Sequence, residues 1–425
     1  MRLMLFLLVA CNRGDEAVEP RFPDIPTASC GADHDWVDLN ETGLVLETDH
    51  DRDLSMALGG VQALIDAAGL EVEASHGVEV YLVRYTTQDR GELIEASAIV
   101  ATPDAAGDYP LLVWTHPTAG FSPECGPTNR GLEGAIFPML FASLGYAVVA
   151  PDYVGMNGWA DPSSSDLHPY VVAEPTAVAT LDSARALLAM ELEARADPSR
   201  TVFYGVSEGG YAALVSDHYA AALAPELSPR VVMAIVPATD VTALGERGTG
   251  TFSDTTGGIA AAMATMQQWY QTPPLSEVLQ PLYAESLQET MSSGCAGFDA
   301  GDPEVVEDIY TAEFVDSVQD GTPMEPWGCI WEQTSPVSMP VRGSSEATLV
   351  LVTGEEDDLA WTPPVRDAVG LYCDEGREVL YRECEGLGHV EAAVETLPWQ
   401  IETLSGLLSG ALAGDCVLSA PEPCP

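Results

Sequence analysis

A serine near the middle of the chain has the surroundings of an activated nucleophile. The motif GVSEGG at 205–210 continues an apolar run at 201–206 and opens a helical pattern at 208–223. Glycines two positions before and after Ser207 allow a strand and a helix to meet at a sharp, strained turn. Free N–H groups at the start of that helix favour developing negative charge. The motif therefore predicts that Ser207 attacks a carbonyl carbon and forms a covalent intermediate.

A serine hydroxyl needs a base to take its proton, and one later histidine has a suitable position. Two histidines follow Ser207 in the chain. His218 falls inside the predicted helix, where we expect a side chain on the helix surface. His389 ends the Gly-rich segment GLGH at 386–389, directly after a predicted strand. We therefore predict that His389 is the base.

The acid that orients this histidine has several candidates. The strand predicted at 347–353 runs into the acidic segment GEEDD at 354–358. We favour Asp357, three residues after the glycine, and keep Asp358 as the alternative in the same loop. Asp240, after the sixth predicted strand, is the outside candidate.

Two backbone N–H groups are expected to bind the oxyanion of a tetrahedral intermediate. One belongs to Glu208, the residue after the nucleophile. The other should come from the loop after the third predicted strand, which reads THPTAG at 115–120. Pro117 has no N–H, so Thr118 is the expected donor. We expect His116, in the same loop, to pack or hydrogen-bond behind the site rather than to act as a base.

Alternating strand and helix patterns indicate an α/β fold. The eight predicted strands are 78–86, 92–101, 110–116, 146–150, 201–206, 230–236, 347–353 and 378–384. Helical patterns occur at 54–67, 174–196 and 208–223. The later strands are short continuous apolar runs, which are typical of parallel strands covered on both faces. We predict a mostly parallel eight-stranded sheet with helices on both faces.

The strand and helix rhythm breaks between about 240 and 345, which predicts a cap inserted into the sheet domain. The predicted divisions are a lipoprotein-type signal at 1–11, a tether and wrap at 12–75, the first part of the core at 76–239, the cap at 240–345, and the second part of the core with a tail at 346–425. Six apolar side chains of the cap could line an acyl pocket, although packing is the favoured role. They are Met263, Met266, Trp269, Tyr270, Trp327 and Trp331.

The start of the chain and its cysteines indicate export. An apolar run at 3–10 is too short to span a bilayer, and LVAC at 8–11 resembles a lipobox that leaves Cys11 lipidated. An export segment that is neither cleaved nor lipidated is the alternative. The other eight cysteines fit disulfides in an oxidising compartment, and the absence of a CxxC pair disfavours metal. Locality favours Cys295–Cys329, Cys373–Cys384, Cys416–Cys424 and Cys30–Cys125 among many possible connectivities.

The charge composition excludes several functions. The chain of 425 residues has 66 acidic residues against 16 cations, all of them arginine, and a formal charge of -50 at pH 7. The absence of lysine excludes a Walker-type phosphate loop, Schiff-base chemistry and a Ser-Lys dyad. A nucleic acid would be repelled by such a surface. The charge suits a salty medium, where screening reduces self-repulsion, and a genome bias for arginine is the alternative explanation.

Several sequence blocks, in the same order, resemble bacterial members of the secretory lipase family, relatives of the fungal lipase A type. The blocks are WTHPTAG at 114–120 with CGPT at 125–128, GYAVVAPDYVG at 145–155, HPY at 168–170, and LD with ARA at 181–186. The resemblance implies an α/β-hydrolase with a cap over a site formed by Ser207, Asp357 and His389. Pro117 stands where a glycine is usual, and the cap matches no block of the family.

These observations predict a serine hydrolase of carboxylic esters, a lipase or esterase, that forms an acyl-enzyme without a metal or organic cofactor. Its expected partners are a small-molecule or lipid ester and, through the lipid on Cys11, a membrane. The expected location is the outer membrane or cell surface, or else the periplasm or medium. A serine peptidase or arylesterase on the same fold is the alternative. A non-catalytic lipoprotein that binds through the scaffold is the alternative from another class.

Overall fold

A nine-stranded sheet organises the computed structural model, which describes residues 19–31, 33–159, 167–295, 303–343 and 345–424. The strands are β1 (Val45–Met56), β2 (Val78–Asp89), β3 (Glu92–Pro103), β4 (Gly107–Thr115), β5 (Ala147–Pro151), β6 (Ala194–Val206), β7 (Pro229–Ile235), β8 (Thr348–Gly354) and β9 (Val379–Cys384). Their order in the sheet is β1-β2-β3-β5-β4-β6-β7-β8-β9. Six neighbouring strands run parallel: β5, β4, β6, β7, β8 and β9. The pairs β1–β2, β2–β3 and β3–β5 are antiparallel.

The sheet has one strand more than the eight predicted. The additional strand, β1, lies at the sheet edge and pairs antiparallel with β2. Its sequence is rich in acidic residues and half of its residues are exposed, so it lacks the apolar pattern that predicts a strand. The helix predicted at 54–67 begins later, at Leu58, because β1 extends to Met56.

Helices cover both faces of the sheet, as predicted. They are α1 (Leu58–Ala67), α2 (Leu132–Ser143), α3 (Ala173–Ala189), α4 (Glu208–Leu223), α5 (Val241–Gly250), α6 (Asp254–Tyr270), α7 (Pro281–Ser292), α8 (Ala312–Gln319), α9 (Trp327–Thr334), α10 (Thr362–Asp374), α11 (His389–Glu395) and α12 (Leu397–Leu408). Side chains alternate along β4 between two apolar cores. Leu111 and Val113 pack with α3 and α4, whereas Leu112 and Trp114 pack with α1 and α2.

The chain leaves the sheet after β7 and returns at β8. Between them lies the helical insertion (residues 241–343), whose described residues form α5 to α9 and short 3-10 turns but no strand of the sheet. It occupies the part of the chain predicted to be a cap. Its helices share one apolar core with α3 and α4, so the insertion is packed on the sheet domain.

Four disulfides differ from the pairings that sequence locality favoured. They are Cys30–Cys329, Cys125–Cys295, Cys373–Cys416 and Cys384–Cys424. The prediction was wrong because contacts between distant segments decide the pairing. The C-terminal tail runs back along β9, where the Asp415 and Cys416 N–H groups donate to the Val379 carbonyl at 3.1 and 3.0 Å. The first two disulfides fasten the helical insertion to the N-terminal segment and to the loop after β4.

The predicted lipidation site lies outside the described residues. Cys11 and the whole predicted signal at 1–11 precede residue 19, where the description begins. Among the helices described, none combines the length and apolar character needed to cross a bilayer.

Candidate active site

Ser207 lies on a strained turn between β6 and α4. Its φ of 58° falls in the left-handed region, which a residue with a side chain rarely adopts. The turn requires glycines because a Cβ at Gly205 or Gly209 would collide with the end of β4 at Thr115. The Thr115 hydroxyl also donates to the Gly209 carbonyl at 2.8 Å. Strand and helix thus meet closely and leave the serine side chain at the end of the strand.

A continuous line of hydrogen bonds connects Ser207 to His389 and Asp357. The Ser207 Oγ lies 2.8 Å from His389 Nε2, and His389 Nδ1 lies 2.8 Å from Asp357 Oδ2. Asp357 is buried, and its other oxygen accepts the N–H groups of Leu359 and Ala360, each at 2.9 Å. The carboxylate is therefore held by three donors, and the imidazole is oriented with Nε2 toward the hydroxyl. This arrangement can move a proton from the serine oxygen to the histidine.

Two neighbouring strands position the acid and the histidine. The loop after β8 carries Asp357, and the loop after β9 leads to His389 at the start of α11. These loops contact each other, since the Glu356 N–H donates to the Leu387 carbonyl at 2.9 Å. A Cβ at Gly354 would collide with that same carbonyl. The glycine at the end of β8 therefore allows the two loops to pack together.

The two alternative acids have other partners. Asp358 has a side chain that is 59% exposed and forms an ion pair with Arg247 at 2.9 Å. Asp240 caps α5 by accepting the Ala243 N–H at 3.0 Å. Among the described residues, Asp357 is the one carboxylate that hydrogen-bonds to His389.

The two predicted oxyanion donors have different surroundings. Glu208 is the first residue of α4, where a backbone N–H has no acceptor within the helix, and it lines the cleft beside Ser207. Thr118 is exposed and is not among the residues that line the cleft. Its hydroxyl donates to the Tyr170 hydroxyl at 3.4 Å, and Tyr170 does line the cleft. The structure therefore brings Glu208 to the cleft, whereas Thr118 contacts a residue that lines it.

The cleft beside Ser207 is mainly apolar and holds about 480 Å³ of empty space, part of it open to solvent. Its apolar walls come from Val171, Val236, Ala238, Val241, Leu244, Ile259, Ala262, Leu359 and Ala360. One face of α6, with Gly258, Ile259 and Ala262, contributes to it because residues three and four apart lie on the same side of a helix. The six Met and aromatic side chains considered for this role are all buried, and none of them lines the cleft.

The remaining histidines considered from the sequence are buried. Burial is the main cause that lowers the pKa of His116 to about 4, so this imidazole is neutral at pH 7. Its Nδ1 contacts the Pro117 carbonyl oxygen at 2.8 Å. His218 was expected on a helix surface, which is wrong: α4 is covered by the sheet and by the segment at 341–343. Burial lowers the pKa of His218 as well.

One group of three potential metal ligands converges within the described ranges. It consists of Glu124, Cys125 and Cys295. The two sulfurs form a disulfide, so they offer no thiolate to a metal. This group therefore does not form a metal site.

Sequence reasoning missed a buried pair next to the nucleophile. The Glu208 carboxylate lies 2.5 Å from His168 Nε2, and both side chains are almost fully buried. His168 precedes Tyr170 and Val171, which line the cleft. The signal in the sequence was the HPY block at 168–170, which carried no indication of a partner.

Comparisons with known proteins agree with this fold. The family described as secretory lipase matches residues 134–301, a segment that contains Ser207 but neither Asp357 nor His389. No curated protein sequence matches the chain.

Solved structures with similar folds include enzymes that act on esters. A rice cell wall degrading esterase, LipA from Xanthomonas oryzae, has a TM-score of 0.70 at 18% identity, covering 87% of this chain and 97% of that one. A putative hydrolase from Legionella pneumophila has 0.73 at 19%, covering 85% and 98%. Lipase A from Candida antarctica in its closed state has 0.67 at 14%, covering 90% and 86%. The chain is thus similar to the secretory lipase family over residues 134–301, and its fold is similar to that of these esterase and lipase structures.

Proposed function

We propose that the protein hydrolyses carboxylic esters through an acyl-enzyme on Ser207. His389 takes the proton of the hydroxyl as the serine oxygen attacks the ester carbonyl carbon. The tetrahedral intermediate collapses, and the alcohol leaves with the proton returned by His389. Water then attacks the acyl-enzyme with the help of the same histidine and releases the carboxylic acid.

The observation that carries this proposal is the hydrogen-bonded line from serine to carboxylate, with both contacts of His389 at 2.8 Å. Asp357 accepts the hydrogen of Nδ1, which leaves the lone pair of Nε2 free to accept the serine proton. The two N–H groups that reach Asp357 Oδ1 hold the carboxylate toward His389, where it can stabilise the imidazolium formed during attack.

The developing oxyanion needs donors fixed before the reaction begins. We assign one to the Glu208 N–H, at the start of α4 beside the nucleophile. The second is assigned to the Thr118 N–H, because Thr118 is the first residue after Pro117 with a backbone donor. The loop that carries it continues from β4, whose last residue, Thr115, contacts the nucleophile turn.

The acyl part of the substrate is proposed to occupy the apolar cleft. Aliphatic walls from the sheet domain and from α5 and α6 favour a hydrocarbon group over a charged one, because burying an unpaired charge is costly. An ester with an aliphatic acyl group therefore fits the site better than a peptide with charged side chains.

Hydrolysis of p-nitrophenyl esters by the wild-type protein and by Ser207→Ala tests the proposal. We expect turnover by the wild type and loss of at least about 10³-fold in kcat for the variant, with an unchanged unfolding midpoint. Equal turnover by both proteins would refute the assignment. Cleavage of peptides rather than esters would favour a peptidase, and the absence of any turnover would favour a binding protein.

The match to the secretory lipase family and the four disulfides support export of the protein. We propose that Cys11 carries a lipid that holds the enzyme on a membrane. The support is the LVAC sequence at 8–11. Detergent-dependent release of the wild type, and release of Cys11→Ala without detergent, would agree with it; equal solubility would contradict it.

A further inference from the structure

The buried pair of His168 and Glu208 holds a definite number of protons. His168 Nδ1 lies 2.9 Å from the Val154 carbonyl oxygen, which can only accept, so Nδ1 carries a hydrogen. His168 Nε2 and Glu208 Oε1, 2.5 Å apart, then share one more proton. The pair is either imidazolium with carboxylate or imidazole with carboxylic acid. In both forms its net charge is zero.

This pair connects the segments that surround the nucleophile. Glu208 follows Ser207 directly in the chain. The backbone N–H of His168 donates to the carbonyl of Phe121, in the loop after β4, at 2.9 Å. The ring of Tyr153, in the loop after β5, stacks on His168 with centroids 5.2 Å apart. Tyr153 also donates from its hydroxyl to the His116 carbonyl at 3.0 Å. The imidazole of His168 thus contacts the nucleophile turn and the loop after β5, and its backbone N–H contacts the loop after β4.

The pair also lies close to the place where negative charge develops in the proposed reaction. The backbone N–H of Glu208 is the assigned oxyanion donor, and its own side chain is a carboxylate enclosed by protein. An uncompensated negative charge at this place would oppose the negative charge of the tetrahedral intermediate. Within the described residues, His168 is the hydrogen-bonding partner of that carboxylate. A proton shared with His168 removes the unfavourable charge while keeping the side chain anchored.

We infer that His168 and Glu208 are a positioning pair for the reaction: His168 anchors the residue that supplies the oxyanion donor and cancels the charge of its carboxylate. The inference rests on the proposed acyl-transfer function. It assigns to His168 a role that acts through Glu208, without contact to the reacting atoms.

Three variants distinguish the effect of the net charge of the His168–Glu208 pair from the effect of its packing. His168→Gln keeps an amide donor toward the carboxylate but leaves a net charge of minus one. Glu208→Gln offers an amide N–H to the neutral imidazole and keeps the net charge at zero. The double variant His168→Gln with Glu208→Gln pairs two amides, again with zero net charge. A role in packing alone predicts that the double variant is at least as impaired as either single variant.

The experiment measures kcat and KM on a short p-nitrophenyl ester for the wild type and the three variants, with thermal unfolding as the folding control. We expect His168→Gln to lose about 10- to 100-fold in kcat with KM changed less than about twofold. We expect Glu208→Gln, added to His168→Gln, to restore kcat at least about fivefold relative to His168→Gln alone, because the uncompensated charge is removed. Glu208→Gln alone should lose less kcat than His168→Gln. An unchanged kcat in His168→Gln, or a double variant as impaired as His168→Gln, would overturn the inference.

A fallback comparison and a labelling control complete this experiment. If His168→Gln does not fold, Glu208→Gln and the double variant still decide, because the side-chain pair is neutral in both. A requirement for ionised partners predicts a large loss of kcat in both variants. Labelling of Ser207 by a fluorophosphonate is measured first in the wild type. Failure of that labelling would reject the proposed function, whereas labelling with a wrong order of kcat values would reject only the positioning pair.

Discussion

The imidazole of His389 lies 2.8 Å from the hydroxyl of Ser207, although 182 positions separate the two residues. Ser207 follows β6 and His389 follows β9, and both strands run parallel in one sheet. The carboxyl ends of parallel strands meet at the same edge, so the loops that follow them converge. The order of strands in the sheet therefore determines this contact, and the long helical insertion between β7 and β8 does not disturb it.

Replacement of each acid in turn should distinguish the catalytic role of Asp357 from that of Asp358. We expect Asp357→Asn to lower kcat by about 10²- to 10⁴-fold, because the amide no longer stabilises the imidazolium and can favour the wrong tautomer. Asp358→Asn is the matched control, one residue away, exposed and paired with Arg247. It should keep kcat within about threefold. Ester hydrolysis at pH 8 measures both, and equal losses would contradict the assignment of the acid.

A substitution in the cleft should change the acyl groups that are accepted. A Cβ added to Gly258 would lie 3.5 Å from Leu359 Cδ1, an ordinary contact distance, so Gly258→Ala narrows the cleft without a collision. We expect kcat/KM for hexanoate relative to acetate to fall about 3- to 10-fold. Stability should rise by about 0.5–1 kcal/mol because alanine favours a helix over glycine.

The matched control for the cleft variant is Gly370→Ala in α10. This glycine has open space around its Cβ position and lies outside the cleft. It should show the same gain in stability with an unchanged preference between acetate and hexanoate. A similar fall in kcat/KM for hexanoate relative to acetate in both variants would show that the cleft does not hold the acyl group.

Acid should destabilise the fold partly through His116. Its pKa is about 4 in the folded protein against 6.5 for an exposed histidine, so the unfolded chain binds the proton first. Stability from this residue is present above pH 6.5 and is lost as the pH falls toward 4. Between pH 7 and pH 5 the loss should be about 2 kcal/mol.

His116→Asn should remove this contribution, and its free energy of unfolding should fall less between pH 7 and pH 5 than that of the wild type. Urea denaturation at the two pH values measures the difference. His76→Asn, at a partly exposed position, serves as the control and should behave as the wild type does. An identical pH dependence in the wild type and His116→Asn would contradict the buried neutral imidazole.

Salt should stabilise the protein if self-repulsion of the acidic surface limits its stability. With a formal charge of -50, carboxylates within a few ångströms repel one another at low ionic strength. Raising NaCl from about 0.01 to 1 M shortens the screening length from about 30 to 3 Å. We expect the free energy of unfolding in urea to rise by several kcal/mol over this range. A flat response would favour genome bias as the explanation of the composition.

The sequence predicted those features that have local signals. Ser207, Asp357 and His389 each follow an apolar strand closely and have a glycine nearby, and such turns are recognisable without the fold. The same holds for eight of the nine strands. These residues could therefore be selected before their distances were known, although three carboxylates remained as candidates for the acid.

Features that depend on contacts between distant segments could not be predicted in this way. The β1 edge strand is rich in charged residues and none of it is fully buried, so only its pairing with β2 reveals it. The disulfides join cysteines up to 299 positions apart, which sequence proximity cannot indicate. The contact of His168 with Glu208 spans 40 positions, between a loop and the first residue of α4, and neither residue type signals the other.

In the proposed mechanism, Ser207 becomes a nucleophile because His389 accepts its proton. Mass spectrometry of the intact protein after treatment with a fluorophosphonate tests it most directly, with peptide mapping to locate the adduct. We expect one adduct, on Ser207, in the wild type, and labelling slowed by at least about 10³-fold in His389→Ala. Labelling of Ser207 at the same rate in both proteins, or an adduct on another residue, would contradict it.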